Sequence, residues 1–233
     1  MKVLAIQNSP IEHFGLFERY LVRHGIELQV PQAYQDIALP PVESFDAVLV
    51  GGTPISASTA SEHPFLRREV EYLRHAVSTG MPCLGICCGA QLLAMILGAR
   101  IHKSPRREIG GYDVRLTVAG RNDSLLAGFP PTFAVFQWHG DVFEIPPGAR
   151  GLVEGKECKD QMFRHQSVVG VLFHLEVESK DASVWARTYR NELNAFGKTE
   201  SQVVMECRAR EAEMHGLADR FIDNFLGIVA MPG

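Results

Sequence analysis

Long apolar runs are missing from this sequence, and none approaches the ~18 residues that a membrane-spanning helix requires. The first residues carry one positive charge, at Lys2, and turn polar at Gln7, so we expect no secretory signal peptide. Positive charge is also scarce, because 23 basic and 27 acidic residues give a net charge of −4. Nucleic-acid binding needs a clustered positive face. The sequence therefore predicts neither a membrane nor a nucleic acid as partner.

Cysteine is sparse as well, and its arrangement excludes two further classes of protein. The five cysteines are odd in number, and Cys83, Cys87 and Cys88 lie within six residues of one another. This pattern is not that of a secreted disulfide framework, so we expect reduced thiols in a cytoplasmic protein. No second C-x-x-C pair accompanies them, and we predict no metal site. A G-x-x-x-x-G-K-[ST] phosphate loop is also lacking.

The chain as a whole has the composition of a globular protein, with 46% hydrophobic and 21% charged residues among its 233. Short β-branched runs alternate with segments of helical periodicity, which is typical of βα units on a parallel sheet. The predicted strands include residues 3–6, 47–50, 82–86 and 168–173. Residues 112–118 and 133–137 follow as strands without an intervening helix. We therefore predict a flavodoxin-like, doubly wound α/β fold, mostly parallel, with helices on both faces and an antiparallel extension.

The chain offers no obvious boundary between domains. It contains no repeat, no low-complexity tract and no linker rich in Pro, Gly or Ser. We expect a single domain over residues 1–233. Within it, residues 178–233 are predicted to form two helices that pack on the sheet or cap it.

A reactive thiol is predicted where one buried strand meets a helix, at Gly85-Ile86-Cys87-Cys88-Gly89. This is the G-x-nucleophile-x-G elbow with cysteine in place of serine. A position at a helix N-terminus favours the thiolate of the central Cys87. The backbone N–H of Cys88 would then be available to a developing oxyanion. The alternative is that Cys87 is only a small buried apolar residue.

A base for this nucleophile is predicted at His174, which closes the apolar run 168–173. Active sites of open α/β sheets lie at the carboxyl ends of strands. Glu176 follows two residues later and would orient the imidazole. His139 is the rival base, and either histidine alone could be structural. Gly51 and Gly52 also follow a strand and either present an N–H to an anion or form a plain tight turn.

Taken together, these segments resemble those of the class I glutamine amidotransferases. Residues 82–94 resemble the family's nucleophile segment, and residues 170–176 resemble its G-V-Q-F-H-P-E segment with Leu172 and Leu175 as departures. Residues 51–54 resemble the G-G-P loop, with Thr53 displacing the proline. Residues 138–141 and 161–164 resemble its H-G-D and Q-A-F-R stretches. The match is to stand-alone members similar to the amidotransferase part of GMP synthase.

The resemblance implies hydrolysis of the glutamine side-chain amide through a glutamyl thioester on Cys87, with release of ammonia. It assigns proton transfer to His174, the orientation of His174 to Glu176, and the oxyanion hole to the N–H groups of Gly52 and Cys88. It also implies contacts to the bound glutamine, which we expect from Gly51, Gln91, His139 and Gln161. It implies no cofactor.

Two other functions remain open at this point. A γ-glutamyl peptidase would use the same triad, because a γ-glutamyl peptide bond is also an amide of the glutamate side chain. A non-catalytic regulatory module could share the fold, although intact Cys87, His174 and Glu176 argue against it. If ammonia is transferred rather than released, the acceptor would be a separate synthetase subunit. The expected substrate is a small molecule, glutamine or a γ-glutamyl compound.

Overall fold

The computed structural model describes residues 1–230, in which nine strands form one sheet in the order β2-β1-β3-β4-β9-β8-β7-β5-β6. The strands are β1 (Lys2–Ile6), β2 (Glu27–Gln29), β3 (Ala47–Val50), β4 (Cys83–Ile86), β5 (Ile101–Leu116), β6 (Thr132–Phe143), β7 (Arg150–Glu154), β8 (Asp160–His165) and β9 (Val168–Val171). The helices are α1 (Gly15–Arg23), α2 (Pro64–Ser78), α3 (Cys88–Ile96), α4 (Val118–Arg121), α5 (Ser179–Thr188), α6 (Arg190–Phe196) and α7 (Glu200–Val229).

The sheet has a parallel half and an antiparallel half that meet at β9. Strands β2, β1, β3, β4 and β9 are parallel to their neighbours. Strand β9 then pairs with β8 in the antiparallel sense, and β7, β5 and β6 continue that pattern. The order β2-β1-β3-β4-β9 is that of a flavodoxin-like sheet. The predicted fold class is confirmed, including the antiparallel extension.

The apolar residues of the parallel strands are divided between the two faces of the sheet. Successive side chains of a strand point to opposite faces, so Val3 and Ala5 join the cluster beneath α1, α5 and α7. Leu4 and Ile6 join the opposite cluster, against α2 and α3. Both faces are therefore covered by helices, which explains why these strands read as continuous apolar runs in the sequence.

The C-terminal segment differs from its prediction. Residues 178–230 contain three helices rather than two, because the helical conformation is interrupted at Tyr189, between α5 and α6. Helix α7 has 30 residues and packs against α1, α5, β5 and β6. Within residues 1–230, no helix combines the length and apolarity that crossing a bilayer demands. The predicted domain extends to residue 233, and residues 231–233 lie outside the described part.

The connection from β5 to β6 also departs from its prediction. The sequence places Val118 at the end of a strand, but this residue begins the short helix α4. The Thr117 side chain accepts a hydrogen bond from Gly120 N and so caps this helix. A helix therefore does intervene between the two antiparallel strands.

Candidate active site

The turn from β4 into α3 places Cys87 in a strained backbone conformation. Its φ is +52° and its ψ is −111°, values that non-glycine residues rarely adopt. Glycine is required on both sides, because a side chain on Gly85 would meet the Gly89 carbonyl at 2.5 Å and one on Gly89 would collide with Val50. This geometry is that of a nucleophile elbow. The thiol of Cys87 lies 3.8 Å from the Trp138 carbonyl oxygen.

His174 and Glu176 follow β9, the strand next to β4, and form a buried pair. The two side chains are joined by a 2.5 Å hydrogen bond between His174 Nδ1 and Glu176 Oε1. Burial opposes the charged imidazole, but the Glu176 charge, the neighbouring Cys87 thiol and the hydrogen bond with Glu176 raise the pKa of His174 to about 10. The charged imidazolium is thus favoured at neutral pH. The structure brings the three predicted triad residues together.

The two glycines after β3 have different surroundings. The Gly51 N–H donates to the Ile6 carbonyl at 3.0 Å, so it is already engaged within the fold. Gly52 lies against Cys87, since a side chain there would be 3.6 Å from Cys87 Cβ and 2.5 Å from a Glu12 carboxylate oxygen. A Cβ at this position would therefore make ordinary contact with Cys87 and require the Glu12 carboxylate to move.

Cys88 begins α3, and its N–H lacks an acceptor within the helix because it belongs to the first turn. Its side chain is not suited to nucleophilic attack, because burial raises the pKa of the Cys88 thiol well above its usual value. The thiol lies 3.4 Å from the Ile55 carbonyl oxygen. Cys88 can therefore contribute a backbone donor but not a second nucleophile.

A cavity of about 230 Å³ opens above Cys87. Its aromatic wall consists of Trp138, Trp185 and Tyr189, with ring centroids 6.2 Å apart for the two tryptophans and 5.9 Å apart for Trp138 and Tyr189. Charged groups of both signs complete the lining: Glu12, Lys103, Arg107, Asp141 and Glu192. A zwitterionic ligand would find partners for both of its charges here.

The predicted substrate contacts do not share one location. Gln91 lines the cavity, and its amide donates to the Asp141 carbonyl at 3.0 Å. His139 also lines the cavity, but its Nε2 is hydrogen-bonded to Glu108 at 3.0 Å. Gln161 has no exposed surface and is bound to Glu108 and Gln137, both at 2.8 Å. The structure therefore does not bring Gln161 to the cavity.

Glu12 is a cavity residue that the sequence analysis missed. Burial raises the pKa of its carboxyl, although the hydrogen bond from Tyr189 acts in the opposite direction. The Tyr189 hydroxyl donates to Glu12 Oε1 at 2.7 Å across 177 positions of the chain. Such a long-range contact has no local signal in the sequence. Glu12 places an additional buried carboxyl beside Gly52 and Cys87.

One group of potential metal ligands lies elsewhere in the described residues, at the start of α5. Ligand atoms of Glu178, Glu211 and His215 lie within 4.8 Å of one another. The Glu178 carboxylate already pairs with Arg19 at 2.5 Å and Lys180 at 2.8 Å. The Arg19 hydrogen bond also lowers its pKa to about 2. These cations neutralise the carboxylate that a metal ion would need.

The family model for class-I glutamine amidotransferases matches residues 14–189, which include the elbow, His174 and Glu176. The chain belongs to this family. Membership means that it is a C–N amide hydrolase of the glutamine amidotransferase class, which confirms the predicted family and enzyme class. The matched range contains the segments that carry the resemblance in the sequence.

Relatives and solved structures agree with this assignment. The chain is similar to the glutamine amidotransferase-like protein YfeJ of Salmonella typhimurium, with 31% identity over 96% of both chains. It is also 31% identical to one subunit of the glutamine-hydrolysing GMP synthase of Sulfurisphaera tokodaii, over 68% of this chain and 82% of that relative. A glutamine amidotransferase structure from Thermotoga maritima superimposes with a TM-score of 0.90, 27% identity and 99% coverage of both chains.

Proposed function

We propose that this amidotransferase hydrolyses the side-chain amide of glutamine to glutamate and ammonia through a thioester on Cys87. The observation that carries the proposal is Cys87 at a strained elbow beside the buried His174–Glu176 pair. A thiolate and an imidazolium form the reactive state of such a pair. The pKa of His174, raised to about 10, favours the protonated imidazole before the substrate binds.

In the first half-reaction, the Cys87 thiolate attacks the amide carbon and the carbonyl oxygen takes up negative charge. Backbone N–H groups of Gly52 and Cys88 would stabilise this oxyanion. The imidazolium of His174 then donates its proton to the departing nitrogen. The C–N bond breaks, ammonia leaves, and the glutamyl thioester remains on Cys87.

In the second half-reaction, His174 is neutral and accepts a proton from water, whose oxygen attacks the thioester. The C–S bond breaks, glutamate is released, and the thiolate and imidazolium are restored. Glu176 keeps the imidazole oriented through Nδ1 in both steps. The second ring nitrogen, Nε2, has no hydrogen-bond partner within residues 1–230, so it is the atom available for these proton transfers.

The cavity lining supports an amino-acid substrate. Lys103 could attract a carboxylate, and Glu12 and Asp141 could attract an ammonium group. Arg107 and Glu192 are instead paired with each other. Glutamine and γ-glutamyl compounds both carry this zwitterionic end. We propose glutamine as the substrate, because the related GMP synthase is described as glutamine-hydrolysing.

The same relative raises the question of a synthetase partner. Its name describes it as one subunit of GMP synthase, and so as one part of a larger enzyme. The YfeJ relative matches this chain over 96% of both lengths, and its name mentions no subunit. We propose that the chain acts by itself. Adding cell extract to the purified protein should then leave its specific activity unchanged, and strong stimulation would contradict this.

The test of the proposed chemistry compares two adjacent cysteines. Cys87→Ala should abolish release of ammonia from glutamine, whereas Cys88→Ala should retain most of it because only the backbone of Cys88 is used. Equal losses in both variants would contradict the role of Cys87. A glutamine-like electrophile should label Cys87 first, as peptide mapping would show. Side-by-side assays with γ-glutamyl dipeptides and glutamine would determine which amide is preferred.

A further inference from the structure

A buried polar pair lies beneath the glycine turn that follows β3. Asn8 is 2% exposed and Glu69 is 1% exposed, and both lie on the face of the sheet covered by α2. The Asn8 amide nitrogen donates one hydrogen to Glu69 Oε1 at 2.9 Å and the other to the Gly51 carbonyl at 3.3 Å. Glu69 thus reaches the glycine turn through a single intermediate side chain.

Glu69 has no cation among its described partners, which is unusual for a fully buried carboxyl. Its burial raises its pKa to about 8, while the hydrogen bond from Asn8 acts in the opposite direction. Asn8 Oδ1 and Glu69 Oε2 have no hydrogen-bond partner within residues 1–230. A carboxylate at this position would bury a charge that no neighbouring cation of the described chain offsets, whereas a neutral carboxyl would not. A protonated acid therefore suits this site better than a carboxylate.

The glycine turn is also held from its other side. The Gly51 N–H is bound to the Ile6 carbonyl at 3.0 Å, so both polar groups of Gly51 are fixed. The next residue, Gly52, lies against Cys87 Cβ. The Gly51 carbonyl and the Gly52 N–H belong to the same planar peptide, so a rotation of that peptide would also move the Gly52 N–H.

We propose that Asn8 and Glu69 are positioning residues that hold the turn of Gly51 and Gly52 in the shape that the oxyanion requires. The inference rests on the proposed function, because it assigns the oxyanion to this turn. Neither side chain is among the residues that line the cavity above Cys87. Their effect is expected in kcat rather than in KM, since the oxyanion exists only in the transition state and the intermediate.

The test uses three substitutions in the pair and one control. Glu69→Leu removes the acceptor for Asn8 and should lower kcat for glutamine about tenfold, with KM changed less than about twofold. Glu69→Gln keeps an acceptor oxygen at the same place and should restore kcat to within about twofold of the original enzyme. Asn8→Ala should resemble Glu69→Leu. Glu71→Leu, at an exposed position of α2, is the matched control.

A second measurement does not depend on catalysis. Hydrogen exchange of the peptide that contains residues 51–56 should be faster in Asn8→Ala and Glu69→Leu, but not in Glu69→Gln or Glu71→Leu. Unchanged exchange and unchanged kcat in Glu69→Leu would overturn the positioning role. If the unmodified protein released no ammonia from glutamine, the proposed function would fail, and the exchange data would still decide whether this pair holds the turn.

Stability at different pH values tests the protonation state of Glu69. Burial gives the Glu69 carboxyl a higher pKa in the folded than in the unfolded chain. The native state therefore holds a proton that the unfolded state releases. This contribution to stability is lost as pH rises from about 4.5 towards about 8. The neighbouring titratable group from α3 is Cys88, whose pKa is also raised. Glu69→Gln should make this decline shallower, because only the contribution of Glu69 is removed, and an identical decline in the variant would exclude a neutral Glu69.

Discussion

His174 and His139 are both buried and both hydrogen-bonded to a glutamate, yet their surroundings differ. His174 joins Glu176 through Nδ1 at 2.5 Å, which leaves Nε2 available beside Cys87. His139 joins Glu108 through Nε2 at 3.0 Å, and Glu108 is also bound by Gln161. Hydrogen bonding to a buried glutamate therefore does not by itself distinguish the two histidines. We propose that the difference lies in the second ring nitrogen, which in His174 is beside Cys87.

The largest expected effect separates the two histidines directly. His174→Ala should lower kcat/KM for glutamine by at least about 1,000-fold, because the thiolate loses its proton donor and acceptor. His139→Ala should cost less than about tenfold, since His139 only lines the cavity. Steady-state release of ammonia measures both. A greater loss for His139→Ala would reverse the assignment of the base.

Substitutions of Glu176 and Glu108 should also differ in their effect on kcat, by a smaller factor than substitutions of the two histidines. Glu176→Gln should lower kcat by about 100-fold, because an amide cannot stabilise the imidazolium but can still hold the ring. This loss should be smaller than that of His174→Ala. Glu108→Gln should change kcat less than about threefold, and its effect should be seen in thermal unfolding instead. Similar kcat losses in the two variants would show that both pairs serve catalysis.

The pH dependence of stability tests the His174–Glu176 pair in another way. The pKa of His174, raised to about 10 in the folded state, lies above its ordinary value of 6.5. The native protein therefore keeps a proton that the unfolded chain gives up. This stabilisation is complete below about pH 6.5 and is lost as pH rises through about 10. In denaturant titrations, the free energy of unfolding should fall more steeply at alkaline pH for the unmodified protein than for His174→Asn. Parallel curves would contradict the raised pKa.

Local patterns in the sequence are sufficient for much of the fold and for the positions of the residues proposed as a triad. The strand predicted over residues 47–50 has the bounds that the structure gives β3, because a buried β-branched run has few alternatives. Cys87, His174 and Glu176 can be found because each lies at or just after the end of a predicted strand. Their proximity follows from the pairing of β4 with β9.

Features that depend on long-range contacts escape prediction. The break at Tyr189 between α5 and α6 has no Gly or Pro to signal it, and it coincides with the hydrogen bond from Tyr189 to Glu12. Glu12 itself is missed for the same reason. Glu69 does have a local signal, since it falls three residues after Leu66 and four before Leu73 on the buried face of α2. A carboxyl at such a position indicates a buried polar role.

The smallest expected effect concerns Gln161, for which the sequence predicts a contact to bound glutamine. In the structure its amide donates to Glu108 at 2.8 Å and to the Cys158 carbonyl at 3.2 Å, and it accepts from Gln137 at 2.8 Å. Gln161→Met would leave these buried partners unsatisfied, which should reduce the free energy of unfolding by about 1–3 kcal/mol. Because Gln161 has no exposed surface and lies off the cavity, KM for glutamine should change by less than about threefold. Thermal unfolding and steady-state kinetics on the same preparation test both statements. A tenfold rise in KM with unchanged stability would show that Gln161 contacts the substrate. The polar cluster around Glu108 would then be part of the binding site rather than a buried group next to it.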